Sequence, residues 1–293
     1  MALLTDNTVK GIFFALGTAL VGSTAGASGK LISESVNAPT IVLIQYLICL
    51  ALMLPWLQKH GIKELNTQHW RQHLIRGLSG WLAFVVYYIA LSSVSLVEVN
   101  LLRNTAPLFV PLIVWLWIGS IIPKNRWAPL ILGFIGVCFI LKPKPEQINF
   151  DIGYLYGLIS GIGLAGSMVG TRLLSRTESS SKIMFYYYVI SCACSLPIAI
   201  YFWQPIALSA WPYLIYIGLS IYIAMWLYTL AYSYAKPSVV SPISYTAVVF
   251  SGFLGWWIWD DIPDAYSFIG IALVIIAGAL TVYLSSSEKE SVN

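Results

Sequence analysis

"LLRNTAPLFVP", Leu101 to Pro111, and "PISYTAVVFSG", Pro242 to Gly252, fall on one another when the chain is shifted by 141 residues. Thr105-Ala106 then meets Thr246-Ala247 and Phe109 meets Phe250, while Arg103-Asn104 is exchanged for Ser244-Tyr245. The match extends outward. Ala90 falls on Ala231, and at a shift of 142 Gly11 meets Gly153, Lys30 meets Arg172, Leu54-Pro55 meets Leu196-Pro197 and Gly136 meets Gly278. Each coincidence alone is weak. Held at a nearly constant offset along both halves, they mark an internal duplication, which governs the reading of the rest.

The 293 residues are 58% hydrophobic and 10% charged, where an ordinary soluble domain carries roughly 25% charge. Apolar runs of about 20 residues recur from end to end, the length that spans a bilayer as a helix. Ten spans are expected, near 9–28, 39–57, 74–93, 96–118, 127–141, 151–174, 183–203, 211–233, 239–259 and 266–284. The fold class is therefore an all-α integral membrane protein of ten transmembrane helices. "TAGASG" (Thr24–Gly29) imitates a signal-peptidase site, but the leader is near neutral and the apolar run too long, so the first span is kept as a helix.

Of the sixteen Lys and Arg, twelve fall in segments on the side of the N-terminus and three on the other, leaving Arg103 within a span. The positive-inside rule then places both termini in the cytoplasm, as expected of a multi-pass protein of a bacterial-type inner membrane. The net charge of +4 is this topology signal and calls for no nucleic acid. The four cysteines lie within spans without CxxC spacing, so neither a disulfide framework nor a zinc site is expected. His60, His69 and His73 are read as members of a solvated connection over 58–73. No metal or other cofactor is expected.

Each half holds five spans, an odd number, so the copies enter the membrane from opposite faces as two inverted five-helix repeats. These cover 8–142 and 150–285, with a short cytoplasmic tail at 286–293. Inverted repeats are a transporter architecture whose substrate site lies near the midplane, where the halves meet.

"RGLSGWLAFVVYYIALSSVSLVEVNLLRNTAPLFVPLIVWLWIG" (Arg76–Gly119), followed by "RWAPLILGFIGVCFILKP", resembles the first EamA repeat of the drug/metabolite transporter (DMT) superfamily. "AYSYAKPSVVSPISY" through "GIALVIIAGAL" resembles the second, and the overall pattern is nearest to the S-adenosylmethionine-uptake-like branch. The resemblance implies ten helices, cytoplasmic termini and transport of small metabolites or drugs. Members usually close the fourth and ninth spans with Gly-Glu; here those places read Gly119-Ser120 and Asp260-Asp261, so the first acid is lost.

Arg103 has no other charge from Val99 to Pro123 and lies about 10 Å along its span at 1.5 Å per residue. An ionised group at that depth costs at least ~2.5–3.5 kcal/mol and faces a bundle interior or an aqueous cavity. Asn100, Arg103, Asn104, Pro107 and Pro111 share one helical stripe, and the copied span offers Ser241, Ser244 and Tyr245. These polar residues are the candidate substrate ligands, with Trp81, Tyr88, Tyr222 and Trp226 as candidate aromatic walls. Pro107 cannot donate to the carbonyl of Arg103, so Pro107 and Pro111 are candidate hinges, the alternative being a static kink. Glu98 is a candidate coupling acid, although its place near the span's end also suits interfacial snorkelling.

The expected function is a secondary transporter moving a small polar metabolite (amino-acid-like, nucleoside-like or anionic) by alternating access. The partners are that solute and the lipid bilayer. The small-residue faces Gly22-xxx-Gly26, Gly153-xxx-Gly157-xxx-Gly161 and Gly166-xxx-Gly170 suit packing within one molecule, with a homodimer as the weaker reading. Multidrug efflux is the alternative, and an integral membrane lipid-modifying enzyme a more distant one. The enzyme lacks support because clustered acids, His or a metal site are missing from the sequence.

Overall fold

A computed structural model of the chain describes residues 6–119, 127–141, 151–175, 177–234, 243, 246–261 and 264–290. Among these, eleven α-helices make up nearly all regular structure: α1 (Asp6–Ile32), α2 (Ala38–His60), α3 (Trp70–Leu91), α4 (Leu96–Arg103), α5 (Ala106–Ile118), α6 (Trp127–Leu141), α7 (Ile152–Leu174), α8 (Ser180–Tyr201), α9 (Trp211–Tyr234), α10 (Thr246–Trp259) and α11 (Ala265–Glu290). Six of them, α1, α2, α3, α7, α8 and α9, are long and apolar enough to cross a membrane. The helix pair α4–α5 makes a seventh when taken as one span, and α6, α10 and the middle of α11 are shorter apolar helices. Outward-facing side chains such as Phe13, Leu47, Leu116, Ile200 and Trp257 are apolar, the reverse of a water-facing surface.

Short loops are fixed by caps. The side chains of Asn37, Ser95, Asp151 and Ser179 accept from the first-turn amides of α2, α4, α7 and α8, satisfying donors that a helix start leaves open. At α4 the cap is reciprocal: Ser95 Oγ accepts from Glu98 N at 3.2 Å and donates to Glu98 Oε2 at 2.9 Å.

The expected fourth span, 96–118, is two helices bent by 40° across Asn104–Thr105. α4 ends where Pro107 withdraws the amide that would have bonded the Arg103 carbonyl, and Pro107 sits in the first turn of α5, where a missing N–H costs nothing. Leu54-Pro55 and Leu196-Pro197 behave alike, each proline lying inside a long helix, α2 or α8.

The halves interleave rather than sit side by side. α1 runs along α9 and α3 along α7, while α2 packs on α8, α6 on α11 and α4 on α10. Exchanging the halves by the sequence offset converts the α1–α9 pair into the α7–α3 pair and returns the α2–α8 and α6–α11 pairs to themselves. The α3–α7 contact is close because α7 presents glycines: a Cβ on Gly163 would lie 2.9 Å from the Ser79 carbonyl oxygen, and one on Gly170 2.8 Å from Arg76 Cβ.

At one end of this contact the structure corrects a sequence expectation. His73 is not in a solvated connection but in α3, 1% exposed, with its ring 4.4 Å from that of Tyr186. Beside it Glu178, in the α7–α8 turn, accepts from Lys182 Nζ at 2.7 Å and from the Thr67 hydroxyl. Burial pushes the Glu178 carboxyl up, but the hydrogen bonds from Lys182 and Thr67 and the Lys182 charge outweigh it and hold it below the ordinary carboxylate range. A depressed carboxylate stabilises the fold above its unfolded pKa, about 4.3, and the stabilisation is lost as pH falls through the lower folded value. Glu178→Gln is therefore expected to lower stability at pH 7 by about 1–3 kcal/mol. It should also flatten the acid limb of thermal unfolding followed between pH 3 and pH 7.

Candidate functional site

The break between α4 and α5 leaves Arg103 at a helix end, and its guanidinium is enclosed by the first half's aromatic residues and by α7. It lies 4.2 Å from the Phe84 ring centre and 4.8 Å from that of Tyr87. Nη1 donates to Ser160 Oγ at 3.2 Å and to the Ala83 carbonyl at 3.4 Å, and Ser160 Oγ donates to the same carbonyl at 2.8 Å. Among the described residues no carboxylate lies within ion-pair distance of Arg103. Each aromatic face stabilises the cation by about 0.5–2 kcal/mol, less than the several kcal/mol that desolvating an ion costs. A guanidinium so placed retains a strong demand for an anion.

It faces a cavity of about 210 Å³ at the meeting of α1, α3, α4, α9 and α10. One wall is α1, smooth and small-sided through Thr18, Gly22, Ser23 and Gly26; the facing wall is Phe84, Tyr87, Tyr88, Asn100, Arg103 and Asn104. The second half contributes Ile221, Tyr228, Ala231 and Ala247. A Cβ on Gly22 would meet nothing within 4 Å, so the empty space begins at the α1 backbone; at Gly26 the Tyr87 hydroxyl already fills the place.

A chain of hydrogen bonds crosses one end of the cavity and ties both halves together. Tyr87 OH donates to Asn100 Oδ1 at 3.2 Å, and Asn100 Nδ2 donates to Ser251 Oγ at 2.9 Å. Ser251 Oγ donates to Ser23 Oγ at 3.3 Å, which donates to the Ala247 carbonyl at 3.0 Å.

Of the residues expected from sequence, Asn100, Arg103, Asn104 and Tyr88 come together on the cavity. Asn104 also caps its own helix, Nδ2 donating to the Asn100 carbonyl at 2.8 Å. Tyr88 turns its hydroxyl away, donating to Gln45 Oε1 at 2.7 Å. Trp81 is held elsewhere, its Nε1 donating to Ser195 Oγ at 2.8 Å. Tyr222 packs against the core around α2 and α3, and Trp226 points outward, 56% exposed. Pro111 lies inside α5. Glu98 is buried in the first turn of α4, also accepting from Tyr154 OH at 3.1 Å, and does not line the cavity. Ser241, Ser244 and Tyr245 lie outside the described residues.

Sequence reasoning missed Ser160, which positions Arg103, and the serine pair Ser23–Ser251. The duplication held a signal for the first: at a shift of 142, Ser160 meets Thr18, itself a residue of the cavity wall.

Comparison with known proteins agrees with this architecture. The EamA-like transporter family matches the chain twice, over residues 9–142 and 151–283. The chain belongs to the EamA-like transporter family. It is a membrane transporter and not an enzyme. Among EamA relatives, the pseudopaline exporter CntI of Pseudomonas aeruginosa is 27% identical over 98% of this chain and 100% of its own length. The riboflavin transporter of Vibrio cholerae is 27% identical, covering 90% of this chain and 88% of its own. The S-adenosylmethionine uptake transporter of Rickettsia bellii is 23% identical over 94% and 93%. A solved crystal structure shares the fold at a TM-score of 0.63 and 20% identity, over 96% of this chain and 99% of that one.

Proposed function

We propose that this EamA transporter is a secondary carrier of small polar metabolites bearing a carboxylate or phosphate, working by alternating access in a bacterial inner membrane. The observation that carries the reading is Arg103, a half-buried cation with no carboxylate in reach among the described residues, facing a cavity to which both halves contribute. Binding an anion there replaces lost hydration with a charge-assisted contact, bidentate in the geometry guanidinium favours. Asn100 and Asn104 orient the solute from α4, and Ser241, Ser244 and Tyr245, which match part of this stretch in the duplication, are the further candidate polar ligands.

The wider architecture follows. Ten spans form two inverted repeats, 8–142 and 150–285, with a tail at 286–293 and both termini cytoplasmic. The reciprocal packing of α1–α9 and α3–α7 supports an exchange of conformations between the halves. The break at Asn104–Thr105, with Pro107 and Pro111, is the hinge. Small-molecule relatives include an exporter and an uptake transporter, and one reversible cycle serves either direction.

Reconstitution tests the reading. Purified protein in liposomes is expected to move at least one labelled carboxylate- or phosphate-bearing metabolite saturably. Flux of cationic drugs with none of any anionic solute would replace this reading by drug efflux.

A further inference from the structure

At the end of the cavity crossed by the serine chain, Lys30 in the last turn of α1 reaches three partners. Its Nζ is 3.1 Å from Asp261 Oδ2 and 3.4 Å from the Val94 carbonyl, and it lies 5.0 Å from the Trp259 ring centre. One cation thus joins α1, the turn between α3 and α4, and the end of α10. With side-chain exposures of 15% and 35%, Lys30 and Asp261 are better shielded than a free surface pair, and salt screens them less.

The aim of Asp261 is set by how α10 stops. Asp260 adopts φ +57°, in the left-handed region that few residues other than glycine enter, and donates its amide to the Trp256 carbonyl at 3.0 Å. Asp261 N then reaches back to the Gly255 carbonyl at 3.2 Å. The copied helix stops the same way. Gly119, which matches Asp260 at a shift of 141, has φ +70° and donates to the carbonyl of Trp115, the match of Trp256, at 2.9 Å. The backbone device is present at both ends; the chemistry after it is not. Lys30 matches Arg172, but Asp261 matches Ser120, which carries no charge.

From this asymmetry we infer that Lys30–Asp261 is a one-sided latch. It holds the Asp261 face shut, whereas Arg172, the match of Lys30, has an uncharged serine at the position matching Asp261 and forms no ion pair among the described residues, so the empty transporter rests with its cavity open toward the Glu178 face. The latch rests on the alternating-access reading and adds to it a built-in resting state, set by one position, 261 against 120. Substrate binding at Arg103 must release Lys30 from three partners before the Asp261 face opens.

A thiol probe at Gly22 reads the state directly, since a side chain there enters the cavity without meeting protein. Cys49, Cys138, Cys192 and Cys194 are first replaced by alanine, and Gly22→Cys is labelled with a membrane-impermeant thiol reagent applied to one face at a time. Labelling is expected from the Glu178 face only. Adding Asp261→Asn should raise labelling from the Asp261 face about tenfold, equivalent to about 1.4 kcal/mol. The swap Lys30→Asp with Asp261→Lys should restore one-sidedness. Unchanged one-sided labelling in Asp261→Asn, or two-sided labelling without it, overturns the latch. Saturable transport by the unaltered protein in liposomes keeps the carrier reading standing in that event. Labelling from neither face overturns both.

Discussion

Arg103→Ala is expected to cut anion uptake into proteoliposomes by about a hundredfold, mainly as a rise in KM, while the protein still inserts and purifies as a folded monodisperse species. Truncating one partner of a buried, hydrogen-bonded charge pair costs about 2–5 kcal/mol, and each 1.4 kcal/mol is tenfold in affinity. The fold should tolerate the loss, because Arg103 forms no ion pair with a described residue and its ring contacts and two hydrogen bonds compensate only part of its desolvation. Removing a half-buried cation with no ion-pair partner among the described residues is therefore expected to change stability little. Arg103→Lys separates charge from shape. Lysine keeps the charge but not the planar fork that lies over Phe84 and Tyr87, so about a tenfold loss is expected rather than a hundredfold. Ligand-induced thermal stabilisation supplies a readout free of flux: an anion at 100 times its Kd stabilises by about 2.7 kcal/mol, and Arg103→Ala should abolish the shift. Uptake indistinguishable from the unaltered protein would remove Arg103 from the site.

The second large effect contrasts two glycines given the same substitution. Gly163→Leu drives a branched side chain into the α3 backbone, where even a Cβ would come within 2.9 Å of the Ser79 carbonyl oxygen and 3.1 Å of Ala83 Cβ. Overpacking costs about 1–3 kcal/mol for modest insertions, and a whole isobutyl group against backbone exceeds that range. The expected result is a large fall in thermal stability and in recovered protein. Gly22→Leu enters a place where a Cβ meets nothing, so stability should stay within about 1 kcal/mol. The cavity of about 210 Å³ should nevertheless be largely plugged and transport lost. Loss of folding in both, or in neither, would contradict the placement of α1 and α7.

Those two glycines also show what the sequence could and could not disclose. Spans were legible because about 20 apolar residues in a row have one solution in lipid, and the α4–α5 break because Pro107 removes a specific amide. Arg103 was legible because a charge amid apolar residues must face something polar. The α1 wall was not, since Gly22-xxx-Gly26 reads as a packing face; Tyr87 fills one of those positions and the cavity the other. Trp226 failed for a related reason. An aromatic ring suits a cavity, a core or a lipid face equally, so its type carries no direction, and only the neighbour chosen by α9 decides it. His73 was hidden because a histidine near a span's end is ordinarily wet, and its burial depends on Tyr186 from another helix.

The interleaving of the halves sets a timetable for synthesis. α1 is covered by α9, which begins about 180 residues after α1 ends. At roughly 5–20 residues per second, α1 waits about ten to forty seconds for α9, and longer for Ala247 and Asp261, the partners of Ser23 and Lys30. Asp261 emerges later still, so the contact that shuts one face is among the last the nascent chain can make. Until then the first half is an unfinished bundle dependent on the insertion machinery and lipid for cover. A ribosome stalled between α7 and α9 would leave a product that no rearrangement within itself could complete.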